Sequence, residues 1–185
     1  MKVHIETALI NEAFLAGGEC PICAIRQVVD ERVLYTYANE GVMEDATRAR
    51  VNALGFCPEH FAKLYAADNK LGVALQTSTR LRELTRAVKP VKNPKEANKA
   101  ADAIDKSLST CAICSIVEEH MSRYVETVAS LFHKNAEFRA LFKKLIESCS
   151  LPPQQAETVL RRILRTLAAR ENTQEKEEYP SWIRP

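Results

Sequence analysis

Cys20-Pro-Ile-Cys23 and, further along, Cys57-Pro-Glu-His60 are the stretches whose reading decides the fold. Each has the form Cys-Pro-x-ligand. Together they spell C-x2-C-x33-C-x2-H, three thiolates and one imidazole, a donor set that suits tetrahedral zinc. Proline is favoured at the first helical position, where its missing N–H costs nothing. Cys20 and Cys57 therefore stand at helix N-caps, with Cys23 and His60 at the third helical position. Free backbone N–H groups of a first turn can donate to thiolate sulfur, and the helix dipole favours negative charge. Both effects lower thiol pKa and help metal binding. With all four positions filled by protein, such a site is structural and has no open coordination position. An iron–sulfur cluster is the alternative occupant, although four cysteines are its usual ligands. The plain alternative is a set of buried cysteines and a helix-capping histidine.

Working outward, the apolar spacing is helical throughout. Ile5, Leu9, Ile10 and Phe14 form a stripe over residues 4–16, and Gly17-Gly18 ends it. Ile22, Ile25, Val29 and Val33 predict a helix from Pro21 to about Ala38. A short helix is expected over 44–53, another from Pro58, and a long one over 71–88. Lys89-Pro-Val-Lys-Asn-Pro-Lys95 reads as a linker. Beyond it come an Ala/Lys-rich helix over 96–107 and a helix headed by Cys111-Ala-Ile-Cys114. A further helix over 136–147 and one opened by Pro152-Pro153 complete the set, before a polar tail.

Shifting the chain by 91 places Cys20 on Cys111 and Cys23 on Cys114, and a shift of 92 places Cys57 on Cys149. Two related helical units follow from this internal repeat. His60 then corresponds to Pro152, so the second copy lacks its fourth ligand. Cys111, Cys114 and Cys149 form either an open three-cysteine metal site, completed by water or an outside ligand, or a decayed site whose cysteines pack as small hydrophobes. His120 lies six residues beyond Cys114, about 9 Å along the axis, too far to join that site. It reads as a core or partly exposed histidine. His133 lies near a loop, and His4 near a terminus.

The totals fit a helical protein. Its 185 residues are 46% hydrophobic but only 6% aromatic, with five glycines, which favours helices over sheets. The net charge of +2 argues against a nucleic-acid partner. No apolar run nears the roughly 20 residues that span a bilayer, and the N-terminus lacks a signal-peptide core. The expected compartment is the cytoplasm, where paired cysteines serve metals rather than disulfides. Basic residues between Arg80 and Lys99 are interrupted by Glu83 and Glu96 and read as a solvated face. No nucleophile elbow, P-loop, dinucleotide fingerprint or HExxH is present.

Residues 4–84, with Glu19-Cys-Pro-Ile-Cys23, Val42-Met-Glu-Asp45, Arg48, Gly55-Phe-Cys-Pro-Glu-His-Phe61 and Asn69-Lys-Leu-Gly72, resemble a bacterial family of uncharacterised proteins. Its members carry two CPxC segments, each followed by a GFCxxH-type segment. The resemblance continues through Cys114 to Arg139. It implies a helical, metal-binding bacterial protein and maps ligands onto Cys20, Cys23, Cys57 and His60. From Leu145 the chain departs from that pattern, reading Glu147-Ser-Cys-Ser-Leu-Pro-Pro153 where a second Cys-and-His segment is due.

The expectation is therefore an all-α fold of seven or eight helices in two related units. Residues 1–88 form the first, pinned by a zinc site of three cysteines and one histidine. Residues 89–95 link it to a degenerate second unit over 96–172, with a tail over 173–185. The expected role is a non-enzymatic module that binds a protein partner or itself. A thiol or iron–sulfur redox sensor is the alternative, and an enzyme using an open three-cysteine metal in the second unit is the third reading.

Overall fold

Proline and N-capping residues set the helix starts in the computed structural model, which describes residues 5–16, 20–88 and 93–148. Helix α1 spans Ile5–Leu15 and α2 spans Pro21–Ala38. A 3-10 turn at Glu40–Met43 leads into α3, Asp45–Leu54. Then follow α4 at Pro58–Ala66, α5 at Lys70–Val88 and α6 at Pro94–Leu108. Helix α7 is Ala112–Lys134 and α8 is Ala136–Ser148. Pro21, Pro58 and Pro94 each open a helix, the position their fixed φ and missing N–H suit. Asn93 caps α6, its side chain accepting the N–H of Glu96 at 2.9 Å. The fold is all-helical, with eight α-helices and no strand among the described residues. The helix expected from Pro152 and the tail over 173–185 lie outside them.

The chain groups into two compact units that do not follow the expected division at 89–95. One combines Met1–Val28 with His120–Pro185, and the other is Val29–Glu119. The physical reason is that α2 and α7 are long enough to contribute residues to both. A split by sequence position places each helix in one unit only.

In the unit that combines the two chain ends, α1 packs against α8. Phe14 is buried, with its ring 4.9 Å from Phe138 and 5.8 Å from Phe142. Phe132 meets Phe142 edge-on at 5.2 Å, a favoured aromatic geometry. On α7, Met121, Val125, Val128 and Phe132 form the buried stripe at spacings of four and three. Arg139 then caps α7. Its guanidinium donates to the Phe132 carbonyl at 2.9 Å and to the His133 carbonyl at 2.8 Å, where the negative end of the helix dipole favours a cation.

In the other unit, α5 packs against the 3-10 turn, α3, α4 and α6. Val33, Tyr37, Val42, Val51, Leu64 and Val73 are buried in it. The approach of α5 to the turn needs a glycine. A Cβ on Gly72 lies 2.8 Å from Val42 Cγ2, well inside contact distance. The last carbonyls of α2 have no intrahelical donor. Gln76 supplies one to Tyr37 at 2.7 Å, and Asn69 supplies one to Ala38 at 2.9 Å. Both side chains reach α2 from the segment that begins α5.

Candidate metal centre

Two turns of the chain build the site. The first follows α3. Gly55 sits at φ +67°, with its N–H bonded to the Val51 carbonyl at 2.8 Å, ending the helix. A side chain is strained at that φ. The chain then runs through Phe56 to Cys57, which is extended at φ −71° and ψ 161° and N-caps α4. His60 follows on the first turn of α4, 5% exposed. The second turn joins α6 to α7 and presents Cys111, buried, and Cys114, half-buried.

Main-chain bonds fasten one turn to the other. The Ala112 N–H donates to the Gly55 carbonyl at 2.9 Å. The Thr110 hydroxyl donates to the Leu54 carbonyl at 2.7 Å. Arg80, from α5, donates to the Asn52 and Ala53 carbonyls and to the Ser107 hydroxyl. Its guanidinium thus caps the C-terminus of α3 and reaches the end of α6 at once.

Cys57, His60, Cys111 and Cys114 converge, each offering one donor atom, with all four atoms within 4.8 Å of one another. His60 Nδ1 lies 3.2 Å from Cys57 Sγ, 3.5 Å from Cys111 Sγ and 3.3 Å from Cys114 Sγ. Cys57 Sγ and Cys114 Sγ are 3.9 Å apart. A tetrahedron with metal–sulfur bonds of about 2.3 Å and a metal–nitrogen bond of about 2.0 Å has edges of about 3.8 Å between sulfurs and about 3.5 Å from sulfur to nitrogen. The three sulfur–nitrogen distances and the Cys57–Cys114 sulfur distance lie near those edges. This donor set can hold a metal ion.

The thiols are electrostatically unequal. Burial pushes Cys111 up, but N–H donors from Cys114 and Cys57 and their thiols outweigh it, and its pKa is lowered. Cys114 is pushed up to about 12 by burial and by its neighbours Cys111 and Cys57. Without a cation in their midst, the sulfurs cannot all ionise. A divalent ion removes that conflict.

Outside the four donors lies a carboxylate. Asp30 of α2 places Oδ1 2.7 Å from His60 Nε2. Its Oδ2 accepts from Lys63 at 2.9 Å, and Lys63 also pairs with Glu59 at 2.9 Å. Burial raises the Asp30 pKa, but the bonds from Lys63 and His60 prevail and hold it below the usual carboxylate value.

The grouping differs from the one expected from sequence. Cys57 and His60 group with Cys111 and Cys114, and Cys20 and Cys23 are not among that group's donors. The reason is the backbone join between residues 54–55 and 110–112, which sets the two turns side by side. Cys20 and Cys23 are free thiols at the start of α2, in the unit built from the two chain ends. Cys149 lies outside the described residues. His120 is half-buried and outside the group, as is His133. Asp30 escaped the sequence reading, and Arg80, expected on a solvated face, instead donates to the end of α3 and to Ser107. An isolated Asp on a charged helix and an Arg in a basic run carry no local signature.

A family described as a family of unknown function (DUF6062) matches residues 1–169. No curated protein and no solved structure matches the chain. Among the described residues, no helix is long and apolar enough to cross a membrane.

Proposed function

Because the chain belongs to this family of unknown function, we propose its role from its own residues: a zinc-stabilised helical module, non-enzymatic, that binds another macromolecule or a second copy of itself. The zinc is held by Cys57, His60, Cys111 and Cys114. The convergence of four protein donors within 4.8 Å carries the reading. Three soft thiolates and an imidazole select zinc among the divalent ions. When bound, zinc supplies a cross-link and, with four protein ligands, no open position for substrate. What the chain's residues do is hold two helix starts together, α4 and α7, and shield the donors. Reduced thiols at such a site fit the cytoplasm. We also read α2 and α7 as matching helices of a duplicated unit, since each follows a Cys-x-x-Cys N-terminus.

A second reading rests on Cys20 and Cys23. Both lie on the first turn of α2 and neither belongs to the four-donor group; burial, with Cys23 beside it, raises the Cys20 pKa, so oxidation starts at the half-buried Cys23. Such a dithiol can close to a disulfide when peroxide oxidises it, which suits a redox sensor.

Elemental analysis of anaerobically purified protein tests both. The expected result is one zinc per chain, lost in Cys57→Ser and in Cys114→Ser and retained in the Cys20→Ser/Cys23→Ser double variant. A metal-free wild type overturns the zinc reading. Zinc lost with Cys20 and Cys23 but kept in Cys114→Ser restores the pairing expected from sequence. Brown protein carrying iron and sulfide selects the cluster instead. Thiol labelling of Cys20 and Cys23 that falls after peroxide, with zinc retained, supports the sensor.

A further inference from the structure

We propose that Asp30 is a positioning residue of the metal centre: by accepting the Nε2 proton of His60, it commits Nδ1 to the metal. The inference rests on reading Cys57, His60, Cys111 and Cys114 as a metal site, and it extends that site to a residue on α2. A neutral imidazole carries one N–H, and the partner of one nitrogen decides which nitrogen is free to bind. Here the two nitrogens face opposite chemistry. Nδ1 has three sulfurs at 3.2, 3.5 and 3.3 Å. Nε2 has the Asp30 carboxylate at 2.7 Å. An ionised carboxylate only accepts, so the proton belongs on Nε2 and the Nδ1 lone pair points among the thiolates.

Lys63 makes this arrangement tolerable. Three thiolates and a divalent ion sum to about −1, and a bare carboxylate on the histidine adds a second negative charge. Lys63 Nζ lies 2.9 Å from Asp30 Oδ2 and offsets it. Lys63 stands one turn beyond Glu59 on α4, which holds the ammonium at 2.9 Å from the other side. The side chains of Asp30 and His60 are 19% and 6% exposed. The bond between them is therefore shielded, whereas the Lys63–Glu59 end opens to water.

α2 thus reaches the centre through a carboxylate, although the cysteines at its start are outside the group. Fixing the ring before metal arrives removes a rotational and tautomeric search from binding, so the effect is read in affinity.

The test uses the full chain. Zinc affinity is measured by competition with a chromophoric chelator for wild type, Asp30→Ala and Asp30→Asn. Asp30→Ala is expected to weaken zinc binding about 10- to 100-fold. Asp30→Asn, which keeps an acceptor oxygen, is expected to recover part of that loss. Long-range proton–nitrogen NMR of zinc-loaded wild type reads the tautomer without any substitution: His60 protonated at Nε2, with Nδ1 shifted by the metal. Coordination through Nε2 overturns the proposal, whatever the variants do. So does an Asp30→Ala affinity within twofold of a zinc-binding wild type. A wild type that binds no zinc removes the underlying site, a result distinct from either.

Discussion

Stripping the metal is expected to lower the melting temperature of the wild type by about 8–16 °C. His60 and Cys111 stand 51 positions apart in the chain, and the centre closes that span. Treated as a cross-link, a loop of this length removes about 4 kcal/mol of chain entropy from the unfolded state. That is comparable with the net stability of a small domain, which is about 5–15 kcal/mol. For a chain of about 150–250 residues, each kcal/mol shifts the midpoint by about 2–4 °C. The unfolded chain also binds zinc through its cysteines, which trims the gain. The assay is thermal unfolding followed by circular dichroism, on zinc-loaded protein with and without chelator. Cys114→Ser serves as a variant that never loads. Cys20→Ser/Cys23→Ser should behave as wild type, because these two residues lie outside the four-donor group. A chelator shift under about 2 °C refutes the cross-link reasoning. Loss of the chelator shift in the Cys20/Cys23 double variant refutes the assignment of the donors.

Acid should eject the metal. Cys114 is held up at about 12 in the metal-free state, so its thiol is protonated at neutral pH and loading must displace that proton. Affinity therefore rises with pH. Calorimetry in buffers of different ionisation enthalpy measures the released protons, and a buffer-independent heat contradicts the expectation. Arg80→Ala leaves the Asn52 and Ala53 carbonyls without their donor and should cost about 1–3 kcal/mol. It should lower the melting temperature and also weaken zinc binding, since the same guanidinium holds the ends of α3 and α6. An unchanged midpoint would show that water replaces it fully.

Much of the local structure was readable. Pro21 and Pro58 announce helix starts because proline is tolerated there and almost nowhere else in a helix. Helices expected over 44–53, 71–88 and 136–147 lie within a residue of α3, α5 and α8. The 3-10 turn at Glu40–Met43 has no sequence signal beyond the Gly41 that follows the helix expected to about Ala38. The donor types were also readable, since Cys-x-x-Cys and Cys-x-x-His put both ligands of each pair on one first turn. Their pairing was not. Cys20-Pro-Ile-Cys23 and Cys111-Ala-Ile-Cys114 give the same local signal, so either can complete Cys57 and His60. Nearness along the chain favours the first. The choice is made by the Ala112-to-Gly55 main-chain bond and by Arg80, contacts whose residue types have no pattern to detect. Asp30 was invisible for the same reason: its role depends on facing His60, 30 positions away.

The span between the two halves of the centre has a consequence in time. Ribosomes add about 5–20 residues per second, so Cys114 follows His60 into the growing chain by several seconds. Throughout that interval Cys20, Cys23, Cys57 and His60 are already made, three cysteines and one histidine, the same donor types as the final group. The nascent chain therefore passes through a stage with a competing set of donors. If the proposed zinc binds during synthesis, the final arrangement requires that it arrive late or change hands when Cys111 and Cys114 emerge. A metal delivered too early would act on this chain as a kinetic trap.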